Sequence, residues 1–426
     1  MATSVIQSWL TYAKLLFEQL PFPFSSEPLH SAIGRLYDFT LGNVRKTPVF
    51  LIRGRVKNAS CPLTAAFVGS EESANHFARV AYSSVECIRS LGKMLCHHDG
   101  PLRLPEAEII VEHSAWYSSS RARKSAEKQS CFVLPIVDFS LSLNQSLASI
   151  IRKASRRRRR DLRKIKALDY SYTVCRNCPE DFDLFYRTMY LPFTEQRYKR
   201  AALFISYIES KARFQRNGGI LFVEEEGMRT AGILFQIRGK TMYALSLGIC
   251  SGNNGFQKSL AGTAALFYLI LWAKKNGLAT LNYGPTLPFF SDGVFVYKKE
   301  WGMSISTRAH YGFWTLKINT LSKGTIFFLK ENPFIMSEKG KMRAVVLLGD
   351  ESTKIDPRRL ASEFTLPQLD SPVVLAYSTR SMNTEGLEGF QELTHVSTEN
   401  LTKPLSDFCQ LLLKPDSHVR ILDYKQ

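Results

Sequence analysis

The longest apolar run in this sequence, Leu260 to Ala273, stops short of the roughly 20 residues that a membrane-spanning helix needs. A helical membrane span is therefore not expected. The N-terminal stretch Met1 to Phe22 lacks a basic region followed by a clean apolar core, so it does not read as a secretory signal. It reads as an amphipathic helix for core packing, with peripheral contact to a membrane or partner as its other use. The expected location is cytoplasmic. The 8 cysteines are scattered over 426 residues, which excludes a dense disulfide framework. Only one CxxC occurs, Cys175 and Cys178, with no second pair and no histidines at ligand spacing; His97 and His98 are adjacent but remote. A structural zinc site normally needs four such ligands, so no metal is expected. Repeats are lacking, and no low-complexity stretch exceeds one arginine run. Acidic residues are in deficit, 38 against 56 basic ones, giving a net charge of +18. That balance favours anionic partners such as nucleic acid, anionic lipid or a phosphate-bearing co-substrate.

What is present is ordinary for globular protein: 45% hydrophobic and 22% charged residues. The length suggests two or three units. Strand-like runs at Val49–Val56, Leu63–Val68, Ile109–Glu112 and Phe132–Val137, with a helical stretch from Glu71 to Cys96, make the first part mixed α/β. Apolar residues from Leu143 to Leu168 then recur at a 3.6-residue period. They predict a long helix capped by Ser142, with a break near the arginines as the alternative. Its phase sets Arg158 on the same face as Leu147, Ile151, Leu162 and Ile165, while the other arginines of the run fall around the rest. A charge in an apolar stripe needs an anion, either a core carboxylate or a ligand. The ligand is the favoured reading, with Arg163 as a second contact.

Ile220–Glu225, Thr230–Ile237 and Met242–Ile249 read as a three-stranded antiparallel meander, with turns at Glu226-Gly227 and Gly239-Lys240. A polar loop, Gly252 to Gly255, follows it. Next come a helix apolar on nearly all sides, Gln257 to Lys275, and a short strand, Thr280 to Tyr283. Beyond Pro333 a small α/β unit is expected, with strands at Val345–Leu348, Val373–Tyr377, Glu392–Val396 and Val419–Leu422. Helices are expected near Pro357–Phe364 and Leu401–Leu413.

Three phrases add a family resemblance. SRRRRRDLRKIK at Ser155–Lys166 resembles a basic helix of the Fem-like acyltransferases. KSLAGTAALFYLILWAKKNGLATLNYGPT at Lys258–Thr286 resembles their loop-helix-strand segment, and YKKEWG at Tyr297–Gly302 resembles their FKxxFG-type motif. The order of meander, polar loop, buried helix and strand is similar to the core of the GNAT superfamily, to which the Fem-like proteins are related. The resemblance spans roughly Phe132 to Phe313. It implies an α/β fold of mixed sheets, with tandem GNAT-like domains at 1–141 and 142–332 and a small C-terminal α/β extension at 333–426. It also implies an N-acyltransferase. The donor would carry phosphate, as acyl-CoA or, in tRNA-dependent members, aminoacyl-tRNA. The acceptor would be an amine of a sugar, an amino acid or a cell-wall precursor. No coiled-coil arm is visible, which favours acyl-CoA. The rival outside the enzymes is a non-catalytic nucleic-acid-binding protein that uses the arginine helix.

The resemblance assigns residues as well. Lys298 matches the motif lysine, expected to steady the oxyanion of acyl transfer or a donor phosphate, at a cost to turnover but not to stability. Tyr283 and Tyr243 are candidates for protonating a leaving group. Lys258, Ser259, Gly262 and Thr263 stand where a helix N-terminus would receive donor phosphate. Glu224, Glu225 and Glu300 are the candidate bases, none of them singled out by its pattern.

Overall fold

The computed structural model describes residues 46–95, 104–114, 131–168, 170–199, 204–250, 260–307, 312–338, 341–348, 363–378, 390–392 and 418–424. The N-terminal helix reading, the polar loop and most of the two C-terminal helix readings lie outside them. The fold is mixed α/β, built on three sheets.

The first sheet has the order β3-β1-β2-β4-β13-β5. Its early elements are β1 (Lys46–Val56), β2 (Pro62–Val68), α1 (Glu71–Ala81), β3 (Tyr82–Leu95), β4 (Ile109–Ser114) and β5 (Phe132–Pro135). The expected helix to Cys96 is thus corrected. It ends at Ala81, and the chain turns extended at Tyr82, where φ is −115° and ψ 144°. Residues after Tyr82 pair antiparallel with β1 along most of its length, and those ladder bonds outweigh a helical reading of the same segment.

The second sheet has the order β12-β6-β11-β10-β9-β8-β7. Its chain runs through β6 (Val137–Ser142), α2 (Leu147–Lys153), α3 (Arg156–Ala167), β7 (Tyr170–Cys175) and α4 (Pro179–Leu184). A π-helical turn, Phe185–Tyr190, leads into α5 (Leu191–Tyr198), and α6 (Tyr207–Gln215) follows. The predicted meander forms as β8 (Gly218–Glu225), β9 (Met228–Arg238) and β10 (Thr241–Ile249). Glu226 and Gly227 both take positive φ, 52° and 77°, as a tight primed hairpin turn requires. Then come α7 (Ala261–Lys275), β11 (Thr280–Thr286), α8 (Gly293–Glu300) and β12 (Ser304–Thr307). Nine residues of α7 are buried. Each large apolar one contributes on the order of 1.5–3 kcal/mol.

The strand read as one from Phe132 to Val137 is two, β5 in the first sheet and β6 in the second, parted at Ile136. The chain then returns: β13 (Phe313–Ile318) inserts between β4 and β5 of the first sheet. After α9 (Lys323–Glu331), the third sheet joins β14 (Phe334–Glu338), β15 (Lys341–Leu348), β16 (Asp370–Ser378), β18 (His418–Tyr424) and β17 (Phe390–Glu392). Strand alternation gives β14 and β15 two apolar faces. Ile335 and Ala344 join the core of the second sheet. Phe334, Met336, Val345 and Leu347 join that of the first. The start of the C-terminal extension is therefore packed into both cores.

The long helix expected from Ser142 breaks in two. Ser142 ends β6. Ser146 caps α2, and Ser155 caps α3 by accepting the Arg158 N–H at 3.2 Å. Ala154 between them is extended, and the Ser155 N–H donates to the Glu300 carbonyl at 2.7 Å. The capping serine and that tertiary bond outweigh helix continuation. The phase survives the break: Arg158, Asp161, Leu162 and Ile165 form the buried face of α3.

Candidate active-site cleft

The cleft begins with strand pairing that stops. β10 and β11 run parallel, but only Thr241, Met242 and Tyr243 pair, with Thr280, Leu281 and Asn282. Immediately beyond, β10 carries a bulge between Ala244 and Ser246, and β11 loses register with β6 between Asn282 and Pro285. Bulges re-aim strands and end pairing. The two strands therefore separate, and Gly284 at the opening takes φ 75°. Gly248 on the diverging half of β10 lets the π-helical turn pack close, since a Cβ there would sit 2.8 Å from backbone atoms of Met189 and Tyr190.

Side chains from four elements meet beside this opening. The Tyr283 and Tyr297 rings lie 6.2 Å apart between centroids, and Tyr297 donates to the Gly262 carbonyl at 3.4 Å in the first turn of α7. Burial, foremost, pushes the Tyr283 hydroxyl well above the usual tyrosine range, and raises Tyr297 too. Yet both residues keep part of their surface accessible. Tyr283 thus stays protonated, a hydrogen-bond donor at any ordinary pH.

Arg158 lies on the other side of Tyr297, its guanidinium 4.5 Å over the ring. It is 7% exposed. It meets Glu300 at 2.7 Å and Asp161 at 3.3 Å, and donates to the Thr263 hydroxyl at 3.1 Å. The ligand-anion reading of Arg158 gives way to the alternative: two carboxylates within the chain pair with its terminal nitrogens, while its buried Nε has no partner. Thr263 is buried and serves this guanidinium through its hydroxyl, which leaves Gly262 as the accessible small residue at the start of α7. Arg163 is exposed on the outer face of α3. Lys258 and Ser259 lie outside the described residues.

Lys298 is 3% exposed. Its Nζ donates to the carbonyls of Gly284 at 2.8 Å and Pro285 at 2.9 Å, the point where β11 bends away. Burial lowers its pKa to about 7, against the pull of Asp138 and Asp292. Both protonation states fit, because a neutral amine still has two N–H groups for two carbonyls. Removal must now cost stability as well, contrary to the sequence expectation. Among the candidate bases, Glu300 is committed to Arg158. Glu224 sits near the far edge of the sheet, accepting from Thr173 at 2.8 Å.

Asp292 caps α8 and so sets Tyr297, Lys298 and Glu300. One carboxylate oxygen accepts from the N–H groups of Val294 and Phe295 at 2.8 and 2.9 Å. The other lies 3.5 Å from His76 on α1, a link to the first sheet. Burial acts to raise its pKa, but His76 and the two N–H groups outweigh it and the carboxyl titrates below its ordinary range. Asp292→Ala is expected to cost about 1–2 kcal/mol in urea unfolding at neutral pH. Because the folded pKa is depressed, this contribution is complete above pH ~4 and fades as pH falls through the folded value. A loss equal at acid and neutral pH would contradict the capping role.

The order of meander, buried helix and a parallel strand that splays from the third meander strand is now in place. That is the element order expected of a GNAT-like core. No protein-family model matches the sequence, and no curated protein matches it. Among solved structures, FemX is similar at 14% identity and a TM-score of 0.35, over 62% of this chain and 83% of that one. L-PGS from Bacillus licheniformis is similar at 11% identity and 0.33, over 66% and 88%. A GCN5-related N-acetyltransferase from Kribbella flavida is similar at 9% and 0.25, over 66% and 93%. No helix among the described residues is long and apolar enough to cross a membrane.

Proposed function

We propose that the chain is an N-acyltransferase that moves an acyl or aminoacyl group from a phosphate-bearing donor to an amine. The observation that carries this is the gap between β10 and β11, opened by two register shifts and flanked by the first turn of α7 and the Tyr283–Tyr297 pair. Strand edges in such a gap present backbone N–H and C=O groups, which an extended donor can meet as an added strand would. The N-terminal end of α7 offers N–H groups and a positive dipole end to donor phosphate. Leu260, its N-cap, supplies no side-chain cap of its own. Gly262 fits phosphate approach there, and Lys258 and Ser259 belong to the same proposal.

In the reaction the amine nitrogen bonds to the acyl carbon, and the bond to the thiol sulfur or ribose oxygen breaks. The amine loses a proton, and the leaving group gains one. Tyr283, held protonated, is the residue proposed to donate to the leaving group. Lys298 is buried, with its Nζ on the Gly284 and Pro285 carbonyls. It is proposed to act by position, fixing the bend of β11 through Gly284 and Pro285. Acyl-CoA is the proposed donor. One observation favours an aminoacyl-tRNA donor instead: Arg156, Arg157, Arg159, Arg160, Arg163, Lys164 and Lys166 are all exposed on α3.

Thermal shift tests both readings on the full chain with acetyl-CoA, aminoacyl-tRNA, uncharged tRNA and duplex DNA. A donor at 100 times its Kd adds about 2.7 kcal/mol of stability. Stabilisation by acetyl-CoA or by aminoacyl-tRNA beyond uncharged tRNA, followed by acyl transfer to an amine, supports the enzyme. Equal stabilisation by every nucleic acid and none by acetyl-CoA would replace it with a nucleic-acid-binding protein.

A further inference from the structure

Away from the cleft, one group of ligating atoms comes together among the described residues. The sulfurs of Cys175 and Cys178 and a carboxylate oxygen of Asp181 all lie within 4.8 Å of one another. Cys175 ends β7, Cys178 is the N-cap of α4, and Asp181 sits in its first turn. Asn177, with φ 62°, turns the chain so that the second sulfur comes back over the first. All three residues are partly buried and partly accessible, so an ion can enter. We propose that Cys175, Cys178 and Asp181 form a binding site for a thiophilic divalent cation, zinc before others.

The donor set suits that choice. Two sulfurs and one carboxylate oxygen make three protein ligands of a tetrahedral ion, with Zn–S bonds of about 2.3 Å that would place the sulfurs about 3.8 Å apart. The atoms need only small movements from their present spacing. Glu180 is near for the fourth position, its Oε2 accepting from the Cys178 thiol at 3.3 Å; water is the other candidate. On binding, each thiol gives up its proton to solvent and the carboxylate enters already charged. The ion and three anionic ligands then carry one surplus negative charge. Arg229 of β9 already pairs with Asp181 Oδ1 and lies 3.8 Å from Glu224. It would neutralise the surplus and hold the carboxylate by its outer oxygen. The spacing runs Cys, Cys, Asp at intervals of three. A search for cysteine and histidine ligands alone passes over the third member. The ion would fasten the end of an edge strand to α4, the π-helical turn and α5.

The test titrates the reduced, full-length protein with Co2+ and then Zn2+. One Co2+ per chain is expected, with thiolate-to-cobalt charge-transfer and tetrahedral ligand-field absorption, displaced by Zn2+ with release of about two protons. Cys175→Ser and Cys178→Ser should each weaken binding about 100-fold or more, and Cys250→Ser should not. The unaltered protein gives a check that needs no variant. Zn2+ should protect Cys175 and Cys178, but not Cys87, from maleimide labelling mapped by mass spectrometry. Absence of stoichiometric Co2+ absorption, unchanged labelling, or a Cys175–Cys178 disulfide that persists under mild reduction would each overturn the site.

Discussion

Replacing Lys298 by methionine is expected to destabilise the protein by an amount that grows with pH. The side chain is of similar length, so the cavity is small, but the carbonyls of Gly284 and Pro285 lose their donor. Leaving buried acceptors unmet costs about 1–3 kcal/mol each. The native lysine brings its own penalty, because burial lowers its pKa from 10.5 to about 7. The folded protein thus holds this proton less tightly than the unfolded chain. Below pH ~7 both states are charged and the penalty is complete. Between pH ~7 and ~10.5 unfolding takes up a proton, so native stability rises with pH there. The rise is at most on the order of 5 kcal/mol. The gap between native and Lys298→Met stabilities should therefore widen across that window in urea titrations. Parallel curves would show that Lys298 is not titrating as a buried amine. On the proposed reaction, a shift of β11 by about 1 Å is enough to lower turnover ~10²-fold. A change confined to KM would instead point to donor contact.

Arg158→Met is expected to cost about 3–5 kcal/mol, the scale for breaking a buried ion pair from one side. Glu300 and Asp161 would keep their charges with 17% and 12% of their side-chain surface exposed. Arg157→Met is the control. Arg157 is 65% exposed and reaches Glu300 only at 3.9 Å, so its loss should stay within about 1 kcal/mol. Adding Glu300→Gln to Arg158→Met should return part of the loss, since the stranded charge goes with it. Arg158→Lys should rescue little, because an ammonium cannot span two carboxylates and a hydroxyl as the guanidinium fork does. Equal effects at positions 157 and 158 would mean that the buried network is not formed in solution.

The period of the arginine helix was enough to put Arg158 on the buried face, because one face of a helix is a local property. One partner, Asp161, is a local i,i+3 neighbour on that face, but the other was not legible. Glu300 lies far along the chain, and only the close approach of α3 and α8 joins them. The same holds for Lys298: YKKE looks like solvated surface, and nothing local says that the second of its four residues turns inward to the bend of β11. The meander was legible from alternation and primed turns. The segment after Ala81 was misread because its pairing with β1 comes from residues upstream, outside any helical window. Likewise the single run Phe132–Val137 concealed a change of sheet, since both strands are apolar and only their partners differ.

The insertion of β13 between β4 and β5 has a consequence for synthesis. β4 ends at Ser114, and its neighbour does not begin until Phe313. At about 5–20 residues per second, the ribosome leaves that edge without its neighbour for roughly 10–40 s. During that time Ile109, Ile110 and Val111 stand on a strand edge open to other chains, the kind of edge that aggregates. The second sheet can close first, since each of its strands is made by Thr307. The nascent chain therefore carries that open edge for about 200 residues of synthesis, until β13 is made soon after the last strand of the second sheet. Slow codons between 114 and 313 would lower the yield of native protein more than the same codons placed after 318.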